Sequence, residues 1–243
     1  MNVLSIDYDY FFPDSLPYDM GHSERWSPTL ADFLWTNRTT MNNLETGEPL
    51  IEAYQPSIPE DFWPRLVKGK ADVYISDSHG DILPECLELY NDREPAHVVS
   101  LDAHHDGGYD YATHMHQDCS NWVWHGLNRG NIESMTLHYP AWRNDKPEGF
   151  RSESARPDRI SYDLPERQEY DVIFICRSGA WTPPWWDGTF LELAESAPAS
   201  GCPAYCHGQR PQRRSPMTLK SAREMRAMLL TMHERLMKKK EIA

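Results

Sequence analysis

One stretch decides the predicted fold: Val98-Val99-Ser100-Leu101, followed directly by Asp102-Ala103-His104-His105-Asp106. The apolar run predicts a buried strand. Alternate residues of extended backbone point the same way, so we expect Asp102, His104 and Asp106 to share one face. Carboxylates and imidazoles are metal ligands, and open parallel sheets place their active sites where strands end. The alternative is that Asp102 caps a turn and that the histidines are surface residues.

Apolar runs of strand length recur along the chain, at residues 3–6, 73–75, 98–101, 135–137 and 172–176. Helix-like stretches fall between several of them, at 83–90, 120–127 and 190–194. Strands that are apolar on both faces and separated by helices favour a parallel sheet covered on both sides. The expected fold is therefore α/β, a three-layer α/β/α sandwich with a mostly parallel sheet, formed by residues 1–243 as a single domain. Proline-bearing, polar segments near 13–65, 140–170 and 197–217 are expected to be long loops.

The clearest predicted helix is the last one, with Ser215 and Pro216 at its start. Its apolar residues recur at spacings of three or four, which indicates one apolar face: Leu219, Ala222, Met225, Leu229, Met232 and Leu236. We expect this face to pack against the core.

Composition excludes several classes of protein. The chain has 243 residues and a formal net charge of −13, which disfavours binding to nucleic acid. It has no apolar run near the roughly 20 residues of a membrane span, so no membrane partner is expected. It begins without a basic leader, and its five cysteines form no evident disulfide framework, so we expect a cytoplasmic protein with free thiols. Cys202, Cys206 and His207 could be half of a zinc site, but no second pair has suitable spacing.

Polar groups follow four of the predicted strands. Asp7 and Asp9 follow the first, His79 follows the second, Asp102 to Asp106 follow the third, and Arg177 and Ser178 follow Val172–Cys176. In a parallel sheet these ends share one edge. The carboxylates of Asp7, Asp9, Asp102 and Asp106, with the imidazoles of His79 and His104, exceed what one zinc site uses. Mostly oxygen ligands suit a pair of harder ions, with Mn²⁺ the leading candidate. Strand-end capping by the first two aspartates and a satisfied buried His79 are the alternatives.

Three segments resemble motifs of the arginase and agmatinase (ureohydrolase) superfamily. Asp102-Ala103-His104-His105-Asp106 resembles its Asp-Ala-His-x-Asp motif. The stretch Cys119-Ser120-Asn121-Trp122-Val123-Trp124-His125-Gly126 resembles its Ser-Gly-Asn…His-Gly segment, and Ser5-Ile6-Asp7-Tyr8-Asp9 resembles its Ser-x-Asp-x-Asp strand end.

The resemblance implies an α/β/α sandwich, two manganese ions, and attack of a bridging hydroxide on a guanidinium carbon. The metal ligands that it implies are His79, Asp102, His104, Asp106, Asp7 and Asp9. It implies that Asn121 lies near the substrate and that His125 handles protons, while Asp106 also helps to stabilise the reacting centre.

The order of the motifs differs from that of ordinary arginases, in which the Asp-x-Asp strand follows the Asp-Ala-His motif. Here it opens the chain, an arrangement similar to the divergent peptide arginases, which convert arginine to ornithine within peptides. Trp181, Trp186 and Asp187 are candidate substrate contacts, because indole faces stack on guanidinium and a carboxylate accepts its N–H groups. A rigid, proline-braced turn packed with tryptophans explains the same residues equally well.

The leading hypothesis is therefore a dinuclear manganese hydrolase that acts on arginine residues of a peptide and releases ornithine and urea. A small-molecule ureohydrolase acting on arginine or agmatine is an alternative, as is a zinc-dependent, deacetylase-like amide hydrolase. A non-enzymatic alternative is a ligand-binding protein on a decayed hydrolase scaffold. The sequence does not fix the oligomeric state, and a homo-oligomer is compatible with it.

Overall fold

A sheet of seven parallel strands forms the centre of the molecule. The computed structural model describes residues 1–14, 24, 28–42, 46–90, 94–109, 116–150, 156–214 and 218–242. The strands of this sheet are β1 (Asn2–Asp7), β3 (Asp72–Ser76), β4 (Ala96–Leu101), β5 (Ile132–His138), β6 (Arg159–Ser161), β8 (Val172–Cys176) and β9 (Ala204–Tyr205). Their order across the sheet is β6-β5-β4-β1-β8-β3-β9. A separate parallel pair is formed by β2 (Val67–Lys68) and β7 (Gln168–Glu169).

Helices cover both faces of the sheet because its strands are apolar on both. Leu4 and Ile6 of β1 belong to one buried cluster, and Val3 belongs to the other. The first cluster includes side chains of α1 (Pro28–Arg38), α2 (Leu50–Ala53), α3 (Phe62–Leu66) and α6 (Asp187–Glu195). The second includes side chains of α4 (Ile82–Glu85) and α5 (Trp122–Arg129). The predicted α/β/α sandwich is confirmed.

Each of the five predicted strands lies within an observed one. The predicted helix at 83–90 is wrong as one element, because α4 ends at Glu85 and a 3₁₀ helix follows at Leu87–Tyr90. Between them Cys86 leaves the helical region, at φ −134° and ψ −74°. The predicted helices at 120–127 and 190–194 correspond to α5 and α6.

The three predicted loops contain elements that the sequence did not indicate. Residues 13–65 include α1 and α2 and most of α3, residues 140–170 include β6 and β7, and residues 197–217 include β9. These elements are short or weakly patterned, so tertiary packing rather than local periodicity specifies them.

The last helix, α7 (Leu219–Ile242), contains all six predicted apolar positions but does not have the predicted environment. Ala222 is buried, whereas Met232 and Leu236 are 51% and 59% exposed. The prediction that this apolar face packs on the core is therefore wrong beyond the first turns. Periodicity identifies an apolar face but not what covers it. Its predicted start at Ser215 and Pro216 lies outside the described residues.

Two further expectations bear on the whole chain. All five cysteines are free thiols. Within the described ranges, no helix combines the length and apolar character that crossing a bilayer requires.

The topology brings the four strands with polar ends side by side. They are β4, β1, β8 and β3, neighbours in the middle of the sheet. Of the next strands of this sheet along the chain, β3 lies on one side of β1 and β4 on the other. Open α/β sheets bind ligands in the crevice at such a reversal of strand order.

Candidate metal centre

His79 is at the centre of a first group of side chains. It begins a 3₁₀ helix just after β3, and three carboxylates surround its Nδ1. The Oδ2 atoms of Asp102, Asp106 and Asp7 lie 3.0, 3.1 and 3.4 Å from that nitrogen. Its other ring nitrogen, Nε2, lies 2.6 Å from the Ser5 hydroxyl, which fixes the ring.

His104 forms a second group beside the first. Its Nδ1 lies 2.9 Å from Asp9 Oδ2 and 3.8 Å from Asp102 Oδ1. Asp102 therefore contacts both groups, with Oδ2 facing His79 and Oδ1 lying 3.8 Å from His104 Nδ1. The same Oδ1 accepts the backbone N–H of His104 over 2.7 Å, so the turn-capping role given as the alternative is also observed. The six predicted ligands come together in these two groups.

Asp7, the last residue of β1, and Asp9 each use one carboxylate oxygen for a backbone hydrogen bond and turn the other toward a histidine. Asp7 is the N-cap of the 3₁₀ helix Tyr8–Phe11, and its Oδ1 accepts a hydrogen bond from the backbone N–H of Asp9. Its other oxygen faces His79. Asp9 in turn accepts from the backbone N–H of Ala103 through Oδ1, which leaves Oδ2 for His104.

The backbone conformation of the segment after β4 differs from the extended one that was predicted. The strand ends at Leu101, so Asp102, His104 and Asp106 do not alternate along an extended chain. Asp106 instead adopts a left-handed backbone conformation with φ +49°. Such a conformation is costly for a residue with a side chain, and it clusters at functional sites. Here it turns the Asp106 carboxylate back toward His79.

Burial and the charges of neighbouring carboxylates change the pKa values of the acidic and imidazole groups in this centre. The pKa of Asp7 rises to about 6, first because of burial and then because of the charge of Asp9. The pKa of Asp102 rises well above its usual value for the same kind of reason, with burial first and Asp106 next. Burial would lower the pKa of His79, but the surrounding carboxylates outweigh it and raise that pKa well above its ordinary value.

The donor set fits divalent cations. Buried carboxylates this close repel one another unless a positive charge lies between them. Within the described part of the chain, neither His79 Nδ1 nor Asp9 Oδ2 makes a well-aligned hydrogen bond, although charged groups lie within 3.4 Å of each. These polar atoms are thus close to potential partners without being satisfied by them, which leaves them available to a cation. Three sets of residues each bring their potential ligand atoms within 4.8 Å of one another. The sets are Asp7-His79-Cys176, Asp9-Asp102-His104 and His79-Asp102-Asp106.

No protein-family model, curated protein or solved structure matches this chain. The resemblance to arginases therefore stays a prediction.

Sequence reasoning missed three residues at the centre. Trp122 is buried at the start of α5, and its Nε1 donates to Asp106 Oδ2 over 2.7 Å. Glu24 accepts the backbone N–H of His79, and burial, followed by the charge of Asp7, raises its pKa to about 8. Cys176 is the last residue of β8. No local pattern marks Glu24, whereas the aromatic-rich stretch around Trp122 was visible but gave no reason to choose that residue.

The two predicted residues of α5 are buried. Asn121 is its N-cap residue, and its side-chain amide bonds to the backbone of His116 and Asp118, so it shapes the preceding loop. His125 lies one turn after Trp122, and its backbone N–H donates to the carbonyl oxygen of Asn121. Their substrate and proton-transfer roles stay predictions.

The three predicted substrate contacts after β8 differ in position. The Trp181 ring lies 4.8 Å from that of His104, beside the centre. Trp186 instead donates to the backbone of Tyr54. The buried Asp187 carboxylate accepts from Arg214. Trp181 therefore lies beside the predicted ligand His104, while Trp186 and Asp187 have the contacts of a packed turn.

Proposed function

We propose that this protein is a manganese hydrolase that converts arginine residues within a peptide to ornithine and releases urea. The observation that carries the proposal is the position of Asp102, which presents one carboxylate oxygen to each of the two ligand groups. A carboxylate shared by two ligand groups suits a two-ion centre. A bound pair of divalent cations would supply Lewis acidity and lower the pKa of water.

The ligands assigned to the manganese ions are those of the two groups. His79, Asp102, Asp106 and Asp7 would hold one ion, and His104, Asp9 and Asp102 would hold the other. Oxygen-rich sets with a single imidazole favour Mn²⁺ over softer ions.

The reaction adds one water to the guanidinium carbon and breaks the bond from that carbon to the arginine Nε. The products are urea and the ornithine ammonium group, and no electrons are exchanged. We assign the proton that Nε gains to His125 of α5. We assign to Asp106, whose Oδ2 accepts from the Trp122 indole, a part in stabilising the reacting centre. The Trp181 ring, next to His104, offers a face on which guanidinium can stack.

Support for a peptide substrate comes from the segment that follows β5. Its Trp142 donates to the backbone of Phe12, and its Arg143 donates to the backbone of Ala103. A long segment thus packs beside the loop that holds His104. In this proposal the segment supplies the contacts to the rest of the peptide.

The test is to incubate the manganese-loaded protein separately with arginine, agmatine and an arginine-containing peptide, and to assay urea. Mass spectrometry of the peptide would show whether arginine becomes ornithine. We expect urea from the peptide and none from the Asp102→Ala variant. Urea from a free small molecule alone contradicts the peptide substrate, and no urea from any of the three contradicts the proposed reaction.

A mononuclear zinc hydrolase of amide bonds is the second candidate, and one observation favours it. Cys176 can join Asp7 and His79 as a ligand, and a thiol is a softer ligand than manganese usually receives. Burial raises the pKa of this thiol well above its usual value, so it stays neutral until a cation binds. Elemental analysis giving one zinc per chain, instead of two manganese, would favour this candidate.

A further inference from the structure

The backbone on both sides of His104 is held by one ion pair. Arg143 donates through Nε to the carbonyl oxygen of Ala103, at 2.8 Å. Glu148 accepts the backbone N–H of His105 through Oε2, at 2.9 Å. Arg143 and Glu148 also pair with each other, with 3.3 Å between Nη2 and Oε1. The residue before His104 and the residue after it are thus fixed to the same pair of side chains.

Glu148 is itself fixed by further donors. The hydroxyls of Tyr109 and Tyr139 lie 3.2 and 3.1 Å from its carboxylate oxygens. Its side chain is only 11% exposed. Burial, followed by the charge of Glu148, raises the pKa of the Tyr139 hydroxyl far above its usual value, so this group stays protonated and donates. A carboxylate held from several directions is a rigid support for the His105 N–H.

The same contacts explain why the two adjacent histidines face different ways. The His105 ring lies between the rings of Tyr109 and Phe150, with centroid distances of 4.2 and 4.5 Å. Its Nδ1 accepts the backbone N–H of Gly107. The His104 ring has a different partner, with its Nδ1 2.9 Å from Asp9 Oδ2.

The strained backbone of the next ligand makes this support necessary. Asp106 has φ +49°, a conformation that persists only where its surroundings impose it. The Trp122 indole and the backbone N–H of Val123 hold Asp106 from the α5 side. Arg143 and Glu148 hold the other side of the loop.

We propose that Arg143 and Glu148 are positioning residues that hold His104 ready for the second cation. This inference rests on the metal centre of the proposed function, but not on its reaction. Groups that orient a metal ligand typically change metal affinity by about 10- to 100-fold when they are removed. The effect belongs to the group around His104, because Glu148 has no contact with the ligands around His79 among the described hydrogen bonds and ion pairs.

The experiment is a Mn²⁺ titration of the metal-free chain, followed by the electron paramagnetic resonance signal of free Mn²⁺. We expect two ions in the wild type. In Glu148→Gln we expect the first ion to bind as in the wild type and the second about 10- to 100-fold more weakly. Glu133→Gln is the matched control, because Glu133 is an exposed residue of β5 that pairs with His97. This control should bind both ions as the wild type does.

Two further variants keep the inference testable if Glu148→Gln unfolds. Arg143→Lys retains the charge but loses the Nε donor to Ala103, so it should also weaken the second ion selectively. In a His104→Ala background, Glu148→Gln should cause no additional loss, because it acts through His104. A wild type that binds no Mn²⁺ overturns the metal centre and this inference together. Two bound ions that Glu148→Gln leaves unchanged, or weakens equally, overturn this inference alone.

Discussion

Replacing Trp122 by phenylalanine tests whether Asp106 is held as a ligand. The substitution keeps an aromatic ring beside His79, whose centroid lies 4.7 Å from that of Trp122, but it removes the donor to Asp106 Oδ2. That hydrogen bond is 2.7 Å long, buried and made to a carboxylate. Such bonds contribute about 1.5–3 kcal/mol.

If this energy positions Asp106 for a cation, its loss corresponds to roughly 10- to 100-fold weaker Mn²⁺ binding. Isothermal titration calorimetry with Mn²⁺ would measure the affinity, and urea denaturation of the metal-free protein would measure the free energy of unfolding. Trp63→Phe is the matched control. The Trp63 indole donates to Leu193 and Ser196, on α6 and just after it, so its loss should lower stability but leave Mn²⁺ affinity unchanged. An unchanged affinity in Trp122→Phe would refute the role assigned to Asp106.

The remaining predictions concern backbone approach, pH and the last helix. Gly80→Ala should weaken Mn²⁺ binding in a calorimetric titration, because the new Cβ would lie 2.9 Å from the backbone carbon of Asp118. An affinity equal to that of the wild type would show that the backbone at Gly80 and the backbone at Asp118 can move apart freely. The folded-state pKa of Asp7 is raised from 3.8 to about 6, so the metal-free protein should lose stability as pH rises through that range. Denaturation curves of Asp7→Asn should lack this part of the loss, and identical curves would contradict the shift. Leu236→Glu should change the free energy of unfolding by less than about 0.5 kcal/mol because Leu236 is 59% exposed; a larger loss would show that the helix is packed.

The sheet and its polar edge could be predicted because both depend on local sequence. The five apolar runs specify strands. Because the strands are parallel, Asp7, His79 and Asp102 lie at one edge of the sheet in whatever order the strands are arranged across it. The short edge strands and α1 could not be predicted, since tertiary contacts rather than periodicity specify them.

The contacts that shape the centre were beyond sequence reasoning for a related reason. Glu24 reaches His79 across 55 residues, and Glu148 reaches His105 across 43. Neither residue lies in a distinctive pattern. The left-handed turn at Asp106 was also unforeseen, because only the fold imposes it on a residue with a side chain.

For α7, the sequence pattern predicted more packing than the structure has. Its apolar spacing predicted the helix correctly but suggested a packed face. The structure anchors the helix through Ala222, Arg223 and Arg226, the two arginines bonding to Glu52 and to the backbone of Thr39. Polar contacts near its start therefore hold it in place, and its later apolar residues remain exposed.

The most direct test of the metal centre is anomalous diffraction at the manganese absorption edge, from crystals grown with MnCl₂. The account predicts two peaks per chain, one among His79, Asp102 and Asp106 and the other among His104, Asp9 and Asp102. No peak at these side chains, or a single peak remote from Asp102, would contradict it.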